Sequence, residues 1–99
     1  PFGLPVTPTG LHAYLEILGD CDVPWAVSAV GGDLGRSAVA RLALELGGHL
    51  HIGLEFHGGD RTPTNLELVQ EAVALCAEVG RPVATCEQAA ALLGLPPAS

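Results

Sequence analysis

Three of the four histidines, a glutamate and an aspartate crowd into one twelve-residue stretch, HLHIGLEFHGGD, from His49 to Asp60. Imidazole and carboxylate groups at such density could hold a divalent cation or move protons. Read as a strand, His49 to Glu55 places His49, His51, Gly53 and Glu55 on one face and Leu50, Ile52 and Leu54 on the other. The apolar face suits a covering helix, and the polar face suits a cleft or an interior. Glu55 then closes the strand at its C-terminal end, where open parallel α/β sheets bind ligands. An inward carboxylate there is costly unless paired with a cation, a metal or strong donors. Glu55 is therefore the residue expected to act, with a structural ion pair as the alternative. His51 and Glu55, four apart on a strand, have Cα atoms about 13 Å apart. Zinc holds its donors at ~2 Å, so the two do not easily share one ion. His57 could share one only if the strand continued, and in this Gly-rich loop a solvated histidine is the plainer reading. His49 reads as a strand-start residue with no ligand role.

Gly31-Gly32 and Gly35-Arg36 follow an apolar run and open a helix. Backbone N–H groups at such a junction can cradle a phosphate, which makes Gly31 and Gly32 candidates for cofactor contact. The spacing matches neither a GxxxxGK[ST] loop nor GxGxxG, so a tight turn that needs glycine explains it equally. Thr62 to Asn65 reads as a helix cap. Cys21, Cys76 and Cys86 are odd in number and lie far apart. That excludes a disulfide framework and a cysteine zinc cluster, and leaves free, buried thiols in a reducing, cytoplasmic setting.

The elements that must position these groups are punctuated regularly. Thr7-Pro8 starts a helix that ends at Gly19. VPWAVSAVGG, Val23 to Gly32, reads as a strand buried on both faces. Asp33 to Leu46 is a helix with Leu34, Ala38, Leu42 and Leu46 on one stripe, stopped by Gly47-Gly48. The strand HLHIGLE follows, then the loop FHGGDRTP. Thr64 and Glu67 fit a capping box before a helix from Leu66 to Val79, whose Glu67, Gln70, Glu71 and Glu78 form its wet side. Thr85 and Gln88 form a second box before a short last helix ending near Gly94. Helix, strand, helix, strand, helix, helix, with short connections, predicts βα units on a parallel sheet. Each of the two strands needs a further neighbour, so a larger α/β fold or an assembly must complete the sheet.

Composition agrees. Of 99 residues, 48% are apolar and only 15% charged, a balance on the buried side of average. The net charge is −7, with four arginines as the only Lys/Arg residues, which argues against nucleic acid and anionic membrane surfaces as partners. No apolar run reaches the ~18 residues of a membrane span. The chain opens at Pro1 and contains no methionine, as expected for a piece of a longer protein.

PWAVSAVGG, ALELGGHLHIGLE, TNLELVQEAVALCAEVGRPVAT and AALLGL together resemble the C-terminal part of the β-keto acid cleavage enzymes, also called 3-keto-5-aminohexanoate cleavage proteins. The resemblance spans nearly the whole chain and is most specific in GGHLHIGLE, TNLELV and GRPVAT. It implies that residues 1–99 are the C-terminal segment of one TIM (β/α)8 barrel: the last two βα units with the preceding and terminal helices. A complete barrel takes about 250 residues. The remainder of the barrel or a second chain would then complete it, in an expected homo-oligomer. It also implies a zinc-dependent enzyme that passes an acyl unit between a β-keto acid and acetyl-CoA, releasing acetoacetate and a new CoA thioester. In the family two histidines from an early strand and one glutamate from the last strand bind the zinc, and Glu55 falls on that glutamate. The early strand is absent here. The family usually reads Arg-Val-Gly-Leu-Glu-Asp where this chain has His51 and Phe56 in place of the arginine and the aspartate. Those two are the family's polar partners for substrate activation. His51 is then the candidate catalytic group, with His57 or Asp60 as other substitutes. The alternative is a non-catalytic barrel fragment or subunit with an altered site.

Overall fold

A computed structural model describes residues 4–96. Thr7 opens α1 (Pro8–Leu18): its hydroxyl accepts from Gly10 N at 3.1 Å, and Pro8 occupies the first helical position, where no N–H is needed. Strand β1 (Ala26–Val27) follows, then a 3-10 turn (Leu34–Arg36), α2 (Ala38–Glu45), β2 (His49–Leu50), α3 (Asn65–Val79) and α4 (Cys86–Leu92). The order agrees with the expectation from sequence, but several bounds do not.

The helix expected over Asp33–Leu46 is broken at Ser37, whose backbone is extended (φ −91°, ψ 156°). Its hydroxyl donates to Leu34 O at 2.7 Å and accepts from Ala40 N at 3.4 Å. Serine competes with helix interiors through such local bonds and does better as a cap. Val39, Ala40, Ala43 and Leu44 make the buried stripe of α2. Its end is a Schellman closure: Gly47 N donates to Leu44 O and Gly48 N to Ala43 O, with Gly47 at φ 92°. The same pattern ends α3 at Gly80-Arg81 and α4 at Gly94-Leu95. Gly48 has a second reason to lack a side chain. A Cβ there would lie 2.6 Å from Cε3 of Trp25, so glycine lets the indole pack against the start of β2. Thr85 and Gln88 form the complete reciprocal box of α4. Thr64 accepts from Glu67 N at 3.1 Å, but its hydroxyl bonds the Glu67 carboxylate, so the α3 box is only half formed.

The two strands are parallel, with Ala26 opposite His49 and Val27 opposite Leu50. His49 N donates to Trp25 O and His51 N to Val27 O, both at 2.9 Å. Beyond this short ladder the pairing lapses and resumes as one parallel bridge, Gly32 to His57. The second strand spends two residues more than the first between the two contacts. The ten-residue strand expected over Val23–Gly32 is thus a two-residue ladder with a distant bridge.

The core lies on one face of this pair. Leu11, Ala29, Leu34, Val39, Ala40 and Ala43 are buried together, with Val27, Leu50 and Ile52 packed against them. On the other face Ala26, Ser28 and Val30 are exposed, in a concavity flanked by α1, which corrects the expectation of burial on both sides. The thiols are free, as expected, but Cys21 and Cys86 are exposed and Cys76 is half-buried, because none reaches the small core under α2. Among the described residues no helix is long and apolar enough to cross a membrane.

Candidate functional site

Glu55 does not end a strand. The ladder stops at Leu50, and Glu55 sits in a turn over residues 53–56. Gly53, at φ 144°, leaves the extended conformation open to L side chains. The Asn65 side-chain carbonyl, at the first residue of α3, then takes the Leu54 N–H at 2.9 Å. That bond ties the turn to the first residue of α3. On the far side the Phe56 carbonyl accepts from Gly31 N at 2.7 Å. The turn is therefore pinned at both ends, to the N-terminus of α3 and to the segment after β1. Between the pins Glu55 is exposed. The strand parity expected for Glu55 fails at Gly53.

His51 is exposed at the mouth of the same turn, and its ring meets Phe56 edge to face at 5.5 Å and 86°. The pair separates two concavities. One is bounded by Glu55, Leu54, Asn65 and Val69, the other by Gly32, Gly35, His57 and Leu68. Gly32 thus borders the site, and Gly31 precedes it. The Gly31 N–H is engaged with Phe56, and the Gly32 carbonyl accepts from Gly58 N at 2.9 Å. His49 is half-buried at the ladder's start, and Asp60 is exposed.

His57 is not the solvated loop residue that its neighbours suggested. Its side chain is 10% exposed, Nδ1 is 3.9 Å from Asp33 Oδ1, and Nε2 is 3.4 Å from Arg61 O. It borders a charge network that the sequence did not reveal. Arg61 Nε and Nη2 donate to the two Asp33 oxygens at 2.6 and 2.9 Å. Nη1 and Nη2 donate to the two Glu71 oxygens at 2.6 and 2.7 Å. Two carboxylates are thus each held by both oxygens on one guanidinium, the strongest geometry such pairs adopt. Hydrogen bonding to Arg61, reinforced by its charge and opposed by partial desolvation, holds both Asp33 and Glu71 below the ordinary carboxylate range. The same bonds raise the Arg61 pKa further. Glu71 is accordingly half-buried, not part of a wet face. The only sequence hint was a lone arginine in the loop of a strongly acidic chain. Arg81 was also missed. Its Nη1 donates to the carbonyls of Leu44 and Gly48, joining the segment after α3 to the end of α2.

Glu55 has the right chemistry for a zinc donor, an accessible carboxylate oxygen. Among the described residues no three His, Cys, Asp or Glu side chains come together to hold a metal. Glu55 could thus serve as one ligand of a set whose other members lie elsewhere. A self-contained site of His49, His51, His57 and Glu55 is not formed.

The family profile described as beta-keto acid cleavage enzyme matches residues 1–95. The 3-oxoadipate:acetyl-CoA acetyltransferase of Cupriavidus necator is 47% identical over 79 residues, covering 76% of this chain and 27% of that protein. The 3-keto-5-aminohexanoate cleavage enzymes of Acetoanaerobium sticklandii and Fusobacterium nucleatum are 37% and 36% identical over 75 residues, each alignment covering 72% of this chain and 27% of the relative. The chain spans about a quarter of the length of these curated relatives.

Proposed function

Because this chain belongs to the β-keto acid cleavage enzyme family, we propose that it supplies the last two βα units of a TIM barrel that exchanges acyl groups between a β-keto acid and acetyl-CoA. The products are acetoacetate and a new CoA thioester. The observation that carries this reading is the exposed Glu55 carboxylate, in a turn pinned at both ends where the parallel pair finishes. The relatives' names supply the reaction class: one is an acetyl-CoA acetyltransferase acting on a β-keto acid, and two are β-keto acid cleavage enzymes.

In this reading Glu55 is one zinc ligand, and the rest of the barrel or a second chain brings the others, in a cytoplasmic homo-oligomer. Zinc, when bound, would act as a Lewis acid toward the keto oxygen. His51, exposed at the mouth of the turn, is the imidazole that would hold or pass a proton there. Gly31 and Gly32 stand in the segment after β1, alongside the turn, where acetyl-CoA would lie. Their contribution is proximity, since the Gly31 N–H is already given to Phe56.

The His51–Phe56 contact favours a second reading, a barrel subunit whose chemistry has changed or been lost. Phe56 carries no polar group, and its ring packs on the imidazole that would do the work. Metal analysis of the complete protein, with turnover of β-keto acids plus acetyl-CoA, decides between the two. Stoichiometric zinc lost in Glu55→Gln, with turnover lost in His51→Ala, supports the enzyme. Folded protein with zinc but no turnover, gaining activity in the double variant His51→Arg/Phe56→Asp, supports the altered subunit. Folded protein without divalent metal or activity sinks the enzyme reading.

A further inference from the structure

The turn that bears Glu55 has little packing of its own. Glu55 is exposed, and Leu54 is 49% exposed. What holds it is a set of polar ties, and the last of these lies six residues on, at Arg61. The Arg61 guanidinium reaches two separate elements. Asp33 stands immediately before the 3-10 turn that follows Gly31-Gly32, and Glu71 lies within α3. Four bonds of 2.6 to 2.9 Å join them. The loop carrying Arg61 is also zipped to the same Gly31-Gly32 segment by Gly31 N to Phe56 O and Gly58 N to Gly32 O.

We infer that Arg61 is a positioning residue: through Asp33 and Glu71 it fixes the loop after β2 against the loop after β1, and so sets where Glu55 stands. The reasoning is geometric. Four of the five guanidinium N–H donors are committed to carboxylate oxygens, so Arg61 is not free to bind an anionic substrate or a phosphate. Its charge is consumed inside the protein, at the junction of three segments. Only a planar fork can serve both carboxylates by two oxygens each; an ammonium is a point charge and cannot. Two half-buried carboxylates held by a lysine would be neutralised but not oriented. Arg36, 65% exposed and 3.8 Å from Glu71, is too loosely placed to take over.

The inference rests on Glu55 as a zinc ligand, so its test carries a readout that does not. Arg61→Ala and Arg61→Lys are made in the complete protein. Zinc affinity is measured by chelator competition, and hydrogen exchange is followed at the amides of Gly31 and Gly58. We expect both variants to bind zinc about 10-fold more weakly, the size typical of losing an outer-shell support. Both should also exchange faster than wild type at Gly31 and Gly58. Lysine behaving like wild type at these amides overturns the inference, because charge alone then suffices. Both variants matching wild type within twofold in exchange also overturns it, leaving Arg61 a surface ion pair. Should Arg61→Ala fail to fold, Arg61→Lys decides alone. Wild-type protein that binds no zinc refutes the proposed function instead, and the exchange measurement still decides whether Arg61 holds the two loops.

Discussion

Gly58→Ala is the sharpest test of how the two loops meet. A Cβ at residue 58 would stand 2.6 Å from the carbonyl carbon of Gly31 and 3.0 Å from its Cα. Ordinary carbon contacts begin near ~3.5 Å, so the segments must part by roughly 1 Å. All of these atoms are backbone, and no side-chain rotation relieves the overlap. The separation would stretch two bonds that now stand at 2.7 Å (Gly31 N to Phe56 O) and 2.9 Å (Gly58 N to Gly32 O), past the ~3.2 Å at which such bonds remain good. Each lost bond costs about 1 kcal/mol, and overpacking costs about 1–3 kcal/mol. Because parting the loops relieves the clash as the bonds break, the two do not add fully, and we expect a destabilisation of about 2–4 kcal/mol. The assay is urea unfolding of the complete protein beside Gly35→Ala as control. A Cβ at Gly35 meets only Glu71 Oε2, at an ordinary 3.7 Å, so that variant should stay within about 0.5 kcal/mol of wild type. If Gly58→Ala also stays within about 0.5 kcal/mol, or if both fall equally, the close approach of the loops is not what the structure depends on.

Three further outcomes are expected. Leu44→Ala truncates a residue only 4% exposed on the buried face of α2 and should cost about 2–4 kcal/mol, read as a lowered urea midpoint with unchanged slope. Thr85→Ala should cost about 1 kcal/mol and speed amide exchange at Gln88, because α4 has no buried residue to hold it once its box is gone. Acid should loosen the Arg61 network in a defined direction. Asp33 and Glu71 have folded pKa values below their ordinary 3.8 and 4.5, so they contribute stability above those ordinary values. That stability is lost as pH falls through the lower, folded values. Arg61→Gln should flatten this part of the stability-versus-pH curve below about pH 5, and an unchanged curve would count against the network.

The element order was legible because each helix start and stop is written locally, in Thr7-Pro8, Thr64, Thr85 and the glycines at 47, 80 and 94. The break at Ser37 was missed because the apolar stripe runs through it, and periodicity does not register a hydroxyl that prefers to cap. The extent of the second strand was misjudged for a different reason. HLHIGLE alternates as a strand should, yet the chain leaves the extended conformation at Gly53, and the Leu54 amide pairs with Asn65 at the start of α3. Glu55 stood out by type, as a lone carboxylate closing an apolar run, and the structure places it in an exposed turn. The Arg61–Asp33–Glu71 network, and the burial of His57 beside it, were not foreseen. Their meeting depends on two loops folding alongside each other, and the 28-residue gap between Asp33 and Arg61 leaves no spacing rule to follow. Arg81 escaped for the same reason, its acceptors lying 33 and 37 residues away.

The two-residue surplus between Leu50 and His57 has a consequence for how this segment can vary. In a continuous strand, one inserted residue turns every later side chain to the opposite face. Here the surplus is absorbed by the turn at 53–56, which is clamped independently on each side. The Ala26–His49 pairing and the Gly32–His57 pairing are therefore insulated from each other. Length and composition at residues 53–56 can drift without disturbing the packed layer under α2, so the scaffold and the turn that bears Glu55 can change at separate rates.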